Sequence, residues 1–305
     1  MNIIKRISML TALVAVMFAF NACEEDTVSP TDPEPSNVTA LMANSIDDNT
    51  VHLMWTAPSD LDATLFQDYT VAYYPKGTGA TNAPELTTTE AGIPFEVTAL
   101  DTDKEYTFVV TTNYSDGQSS TGASITWAPA MRFNTVDAET IKIYSHTSNF
   151  GSGLILSGEF DEPELATIAN IVNWNLALDT KTSGNIKFGS ASSTTYNGAA
   201  TATNSAMITS SLIPADGLSD VFDSQGLDSK SFALQTVELE GVTPGNNDGF
   251  VLYAKTDNGT DVHYAKIFIR YNTSANSVLF GTGNDQYAEV TISYQANAGF
   301  PYAKK

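Results

Sequence analysis

The sequence predicts an all-β chain: a β-sandwich followed by a second, larger antiparallel β domain. Three observations predict it. Short runs of alternating apolar and polar residues recur from Asn37 onward, separated by Gly, Pro, Asn and Asp turn clusters. Thr, Ser, Asn, Tyr and Val dominate, while runs of Ala, Leu, Glu and Lys at a 3.6-residue period are scarce. About 280 residues follow the N-terminal leader, enough for two domains that each bury a core without disulfides.

The leader comes first in the chain. Lys5 and Arg6 form a basic n-region, and Met9 to Phe20 is almost unbroken in apolar residues. That core is too short to span a bilayer comfortably and has the layout of a secretory signal peptide. It ends at Cys23, the one cysteine of the 305 residues. The stretch AFNACEED resembles a bacterial lipoprotein signal, which implies cleavage before Cys23 and lipid on its sulfur. The alternative is a plain signal peptide cut nearby, leaving a free thiol. Glu24, Glu25 and Asp26 resemble the export tag of Bacteroidetes-type surface lipoproteins, which implies display on the outer membrane. Residues 1–22 are then the signal and 23–36 a lipidated tether, with the Pro-rich TVSPTDPEPS as an extended spacer.

Loss of Lys5 and Arg6 leaves 12 basic against 35 acidic side chains, a formal charge of about −23. Nucleic acid is an unsuitable partner, because phosphate binding needs clustered Lys and Arg and the chain has no such cluster. The expected membrane contact is the N-terminal lipid alone.

Residues 37–130 carry the sandwich pattern: VTALMA, TVHLMWTAP, DYTVAYY, PFEVTAL, EYTFVVTTNY and ASITWAP. Val51, Leu53 and Trp55 share one strand face, as do Tyr69, Val71 and Tyr73, and two such faces turned inward make a sandwich. His52 falls on the face opposite Trp55. Trp55 with Ala57 and Pro58, the DYTVAYYPKG strand, and Leu100 with Tyr106 resemble the fibronectin type III domain. The resemblance implies a tyrosine corner at Tyr106 and a spacer or adhesion role without chemistry of its own. Trp127 is read either as covering the joint before Pro129 or as an exposed stacking platform for a sugar ring.

Residues 131–305 stay β-rich in TIKIYSH, GLILSGEF, NWNLALDT, GNIKFG, ALQTVELEG, GFVLYAKT, HYAKIFIRY and QYAEVTISYQ. A short helical turn is expected around Pro163 to Ala169, since Pro suits a first turn. Long polar segments such as SASSTTYNGAATATNSA read as surface loops. No GxSxG, HExxH or phosphate-binding glycine loop occurs, so no catalytic residues are assigned. The three histidines, His52, His146 and His263, are split across the two domains, so no metal site is assigned either. Pairs such as Asp161 and Glu162 are what chance supplies among 35 acids.

NWNLALDTKTSGNIKFG, then SSLIPADGLSDVFD, then GFVLYAKTDNGTDVHYAKIFIRY with YAEVTISYQANAG resemble, in this order, the HmuY-like haemophore family. The resemblance implies a secreted or lipid-anchored β-protein that takes haem between paired axial ligands. The residues available are Met207, His146 and His263; His263 shares its strand face with Ala265, Ile267 and Ile269. Two readings stand: a surface lipoprotein binding haem or another flat ligand, or an adhesion or glycan-binding lipoprotein with no haem site, in which Trp127, Trp174 and some of the 13 tyrosines stack on sugars. Trp174 shares parity with Leu176 and Leu178, which places it in the core.

Overall fold

Alternation decides the first seven strands. They are β1 (Thr39–Ser45), β2 (Val51–Thr56), β3 (Phe66–Pro75), β4 (Glu85–Thr88), β5 (Phe95–Val97), β6 (Tyr106–Tyr114) and β7 (Ala123–Trp127). The computed structural model describes residues 34–133, 141–156, 164–166, 173–193, 205–208, 211–257 and 261–302. It divides the chain into Met1–Glu34 and Pro35–Lys305, and the features below belong to the second unit.

Strands β1-β2-β5 form one antiparallel sheet and β4-β3-β6-β7 the other. Val51, Leu53 and Trp55 of the first are buried against Tyr69, Val71, Phe108 and Val110 of the second. The Trp55 ring meets Tyr69 edge-on at 5.7 Å, and each such fully buried side chain contributes about 1.5–3 kcal/mol. The tyrosine corner forms as expected: the Asp101 N–H donates 2.9 Å to the Tyr106 hydroxyl. Half-buried His52 turns outward beside Glu96, 3.3 Å away.

Thirteen more strands follow among the described residues: β8 (Met131–Phe133), β9 (Ile141–Tyr144), β10 (Gly153–Ile155), β11 (Glu164–Ala166), β12 (Leu176–Asp179), β13 (Lys187–Ser190), β14 (Ser205–Ile208), β15 (Ile213–Ala215), β16 (Thr236–Glu238), β17 (Gly249–Asp257), β18 (Val262–Arg270), β19 (Leu279–Phe280) and β20 (Tyr287–Tyr294). The expected helical turn is corrected at its centre, where Glu164–Ala166 is β11, paired in antiparallel register with β10. A ladder partner satisfies the backbone of three residues better than an isolated turn would.

Strands β11-β10-β12-β13-β16 form one sheet. The other runs β14-β17-β18-β20-β19, with β15 also on β17 and with β8 and β9 also on β20. Between them lies a core of Leu154, Leu176, Leu178, Phe188, Leu252, Ile267, Ile269, Val290 and Ile292. Trp174 is fully buried in this region, over Gly153, where a Cβ would come within 1.9 Å of the indole. Strands β17 and β18 are buried on both faces, so they read as continuous apolar runs.

The second face of β17 and β18 joins the first sandwich. Val251, Tyr253, Tyr264 and Phe268 belong to the same apolar cluster as Trp55, Trp127 and Ala130, together with Leu218, Val221, Leu227 and Tyr302. Polar hooks accompany it. The Gln295 side chain donates to the Pro129 carbonyl at 2.8 Å, Asn297 to the Thr102 carbonyl at 3.1 Å, and the Arg132 guanidinium to the Ser45 carbonyl. The free edge of β1 is capped by Asp223, which exchanges both backbone bonds with Ala43.

Candidate functional site

Along β20, side chains alternate between the core and the opposite face, where Tyr287, Glu289, Thr291 and Ser293 fall. Near Ser293 that face is covered, for Tyr302 donates to the Ser293 carbonyl. At the other end it carries a row of aromatics. Register places Tyr144 of β9 and Phe280 of β19 on either side of Tyr287, so three neighbouring strands each contribute one ring. Tyr287 lies 5.4 Å from Tyr144 and 6.1 Å from Phe280 between ring centroids. Phe150 adds a fourth ring, 4.9 Å from Tyr144, and is 57% exposed.

The loop that presents Phe150 is pinned by its own polar residues. Ser145 and Thr147 hydroxyls donate to the Asn284 carbonyl at 2.8 and 3.1 Å, and Ser148 donates to Asp285 at 2.9 Å. Ser152 reaches back to the Ser145 carbonyl at 3.0 Å. The Ser and Thr side chains of YSHTSNFGSG thus hold an exposed ring without burying it. Two cations flank the row: Lys142 Nζ stands 4.5 Å over the Tyr287 ring, and the Arg270 guanidinium 5.4 Å over Phe280 while pairing with Glu289 at 2.8 Å. Each exposed cation–π contact contributes about 0.5–1 kcal/mol. Apolar ring edges, fixed in place and bordered by donors, form a surface that can hold a ligand with both apolar and hydroxyl faces.

A concavity of about 420 Å³ lies elsewhere, between β1, β2 and the segment around β15, lined by Met42, Met54, Asp216, Asp220, Lys230 and Tyr253 among others. Beneath it Lys266, fully buried, donates to Asn44 Oδ1 at 3.0 Å and to the Val221 carbonyl at 2.8 Å, with Asp223 Oδ2 3.2 Å away. Asp223 Oδ1 also accepts from Lys230 and from the Tyr253 hydroxyl, each at 2.7 Å. Burial drives the Lys266 pKa down to about 8 against the opposing pull of Asp223. Sequence reading missed this cluster; its signal was the lysine inside the apolar run HYAKIFIRY.

The residues singled out from sequence fall in separate places. Half-buried His146 follows β9, its ring Nδ1 2.9 Å from the Thr180 hydroxyl. His263, in β18, stacks on Tyr294 at 5.6 Å with Nδ1 3.1 Å from the Gln295 carbonyl. His146 is next to Ser145, which bonds the Gln286 carbonyl, so the two histidines flank opposite ends of β20. At ~3.3 Å per residue that separates them by roughly 30 Å, whereas two axial ligands of one iron stand across a single metal. The pair does not fit haem. Met207 lies in strand β14 opposite Lys255 rather than in a loop, and its side chain is outside the described residues. Cys23 also lies outside them. Trp127 is fully buried, its indole N–H donating 2.8 Å to Ser45 Oγ and its ring edge-on to Tyr302 at 5.8 Å, so no ring face is free for a sugar. The exposed ring is instead Phe150, beside the half-buried Tyr144, Tyr287 and Phe280, none of them a tryptophan; register brings the last three together.

No curated protein matches the chain. Among solved structures it is similar to the third fibronectin III domain of human KIAA0343 protein, at 14% identity over 34% of this chain and 88% of that one, with a TM-score of 0.29. It is similar to the fn3 domain of human collagen alpha-1(XX) chain at 20% identity over 34% and 92%, TM-score 0.28. The FN5 domain of Drosophila Lar is similar at 18% identity over 31% and 97%, TM-score 0.24. The family model of the fibronectin type III domain matches residues 33–128, and this part of the chain is a fibronectin type III domain.

Proposed function

We propose that the protein is a non-enzymatic adhesion-type module, exported and lipid-anchored through Cys23 at the outer cell surface, that binds a neutral saccharide on the ridge of Tyr144, Phe150, Phe280 and Tyr287. The observation that carries this reading is the aromatic row in register across β9, β20 and β19, exposed at Phe150 and held by a hydrogen-bonded loop. Sugar rings offer C–H faces to an exposed ring such as Phe150 and hydroxyls to donors, and Lys142 and Arg270, held over Tyr287 and Phe280, supply those donors. The fibronectin type III domain fits the same role as a spacer that carries the binding region away from the membrane.

Haem is the less supported ligand, because His146 and His263 are not a pair. The test is binding of purified protein to a panel of neutral glycans, with haemin titration alongside. Glycan binding lost in Phe150→Ala and Tyr287→Ala supports the proposal. A sharpened Soret band on adding haemin, with no glycan bound, overturns it.

A further inference from the structure

We infer that Lys266 and Asn44 condense into an intramolecular isopeptide bond, with Asp223 as the proton carrier, tying strand β1 of the fibronectin type III domain to strand β18. The inference is separate from the ligand reading and rests on the buried cluster. Lys266 Nζ is in hydrogen-bond contact with Asn44 Oδ1 at 3.0 Å, so the amide carbon is at most one C=O bond, ~1.2 Å, further on, and a shift of under about 1 Å brings the nitrogen to the separation from which a positioned nucleophile attacks. Asp223 Oδ2 lies 3.2 Å from the same Nζ and has no other hydrogen-bond donor among the described residues. Lys266, Asn44 and Asp223 are each at most 3% exposed, so water that would solvate the ammonium or hydrolyse an acyl centre is excluded.

Backbone geometry fixes the partners. Ala43 and Asp223 exchange two bonds at 2.9 and 3.0 Å, and Asn44 Nδ2 donates to the Leu218 carbonyl at 2.9 Å. Burial, together with the charges of Lys230 and Arg132, disfavours the ammonium form, which raises the share of free amine.

The step balances without an oxidant. Lys266 gives one proton to Asp223 Oδ2, and the free amine attacks Asn44 Cγ. The Cγ–Nδ2 bond breaks as a second proton passes from Nζ to Nδ2, and ammonia leaves. The product is a secondary amide between residues 222 apart in sequence. The chain has a single cysteine, so no disulfide can supply such a link.

The test is the mass of the denatured full chain together with a peptide map. A mass one ammonia below that of the processed sequence, and a branched peptide joining the Asn44 and Lys266 segments, are expected. Lys266→Arg, which keeps the charge, and Asn44→Ala should restore the full mass and two linear peptides. Wild-type protein at full mass, with linear peptides only, overturns the inference. Loss of one water with a branch at Asp223 also overturns it, because Asn44 is then not the acyl donor.

Discussion

At Trp127 the indole N–H donates to Ser45 Oγ, and that hydroxyl passes the interaction on to the Ala128 carbonyl at 2.7 Å. One ring thereby fills the space between β1, β7 and Tyr302 while satisfying its only polar atom. Trp127→Ala should cost about 3–5 kcal/mol in chemical denaturation, the range for emptying a large aromatic site. Tyr106→Phe removes one hydrogen bond and keeps the ring, so about 1 kcal/mol is expected. Burial raises the phenols of Tyr253 and Tyr302 above their ordinary range, Tyr253 further beside the Asp223 carboxylate. Above about pH 10 an unfolded chain releases these protons while the folded one keeps them, so the unfolded state binds fewer protons and stability falls as pH rises. Denaturation midpoints followed upward from about pH 10.5, above which Lys266 is neutral in the folded and the unfolded chain alike, should drop, and should drop less in Tyr253→Phe. Two neutral phenols at these positions in the unfolded chain at such pH would contradict the sign.

Among elements, legibility depended on burial. Strands with one buried face, such as β2 and β6, alternate cleanly, and in β2 the core residues Val51, Leu53 and Trp55 were readable. Strands β17 and β18 were readable as apolar runs, but nothing in them told which face met which neighbour, because both are covered. Short pieces without a pattern, such as exposed β4 on the ten-residue β3 and the three residues of β11 on β10, form because a neighbouring strand offers a free edge, and local sequence does not encode that edge. The same limit hid the aromatic ridge. Tyr144 and Phe150 lie more than a hundred residues from Phe280 and Tyr287 in the chain, and the two pairs become neighbours only through the register of β20. Gly153 marks another close approach, since Trp174 occupies the space of its missing Cβ. Gly153→Ala should lower the melting temperature measurably by forcing the indole out, whereas Gly184→Ala, with open space but a positive φ of 72°, should cost less.

Taken whole, the unit from Pro35 onward is held by two apolar clusters, one of which runs from the fibronectin type III interior through Trp127 into the second face of β17 and β18. Such a continuous core predicts a single cooperative unfolding transition, read as coincident fluorescence and circular dichroism curves; two separated transitions would contradict it. The large negative charge keeps the surface soluble and makes an aromatic ridge bordered by Lys142 and Arg270 distinct from its surroundings. The most direct measurement is the affinity of wild type, Phe150→Ala and Tyr287→Ala for immobilised neutral glycans, with melting temperatures recorded for all three. Wild type should bind at least one glycan, and each variant should lose about tenfold or more in affinity, ~1.4 kcal/mol, while staying folded. Equal binding by all three folded proteins, or no glycan bound by wild type, would contradict saccharide binding on the ridge.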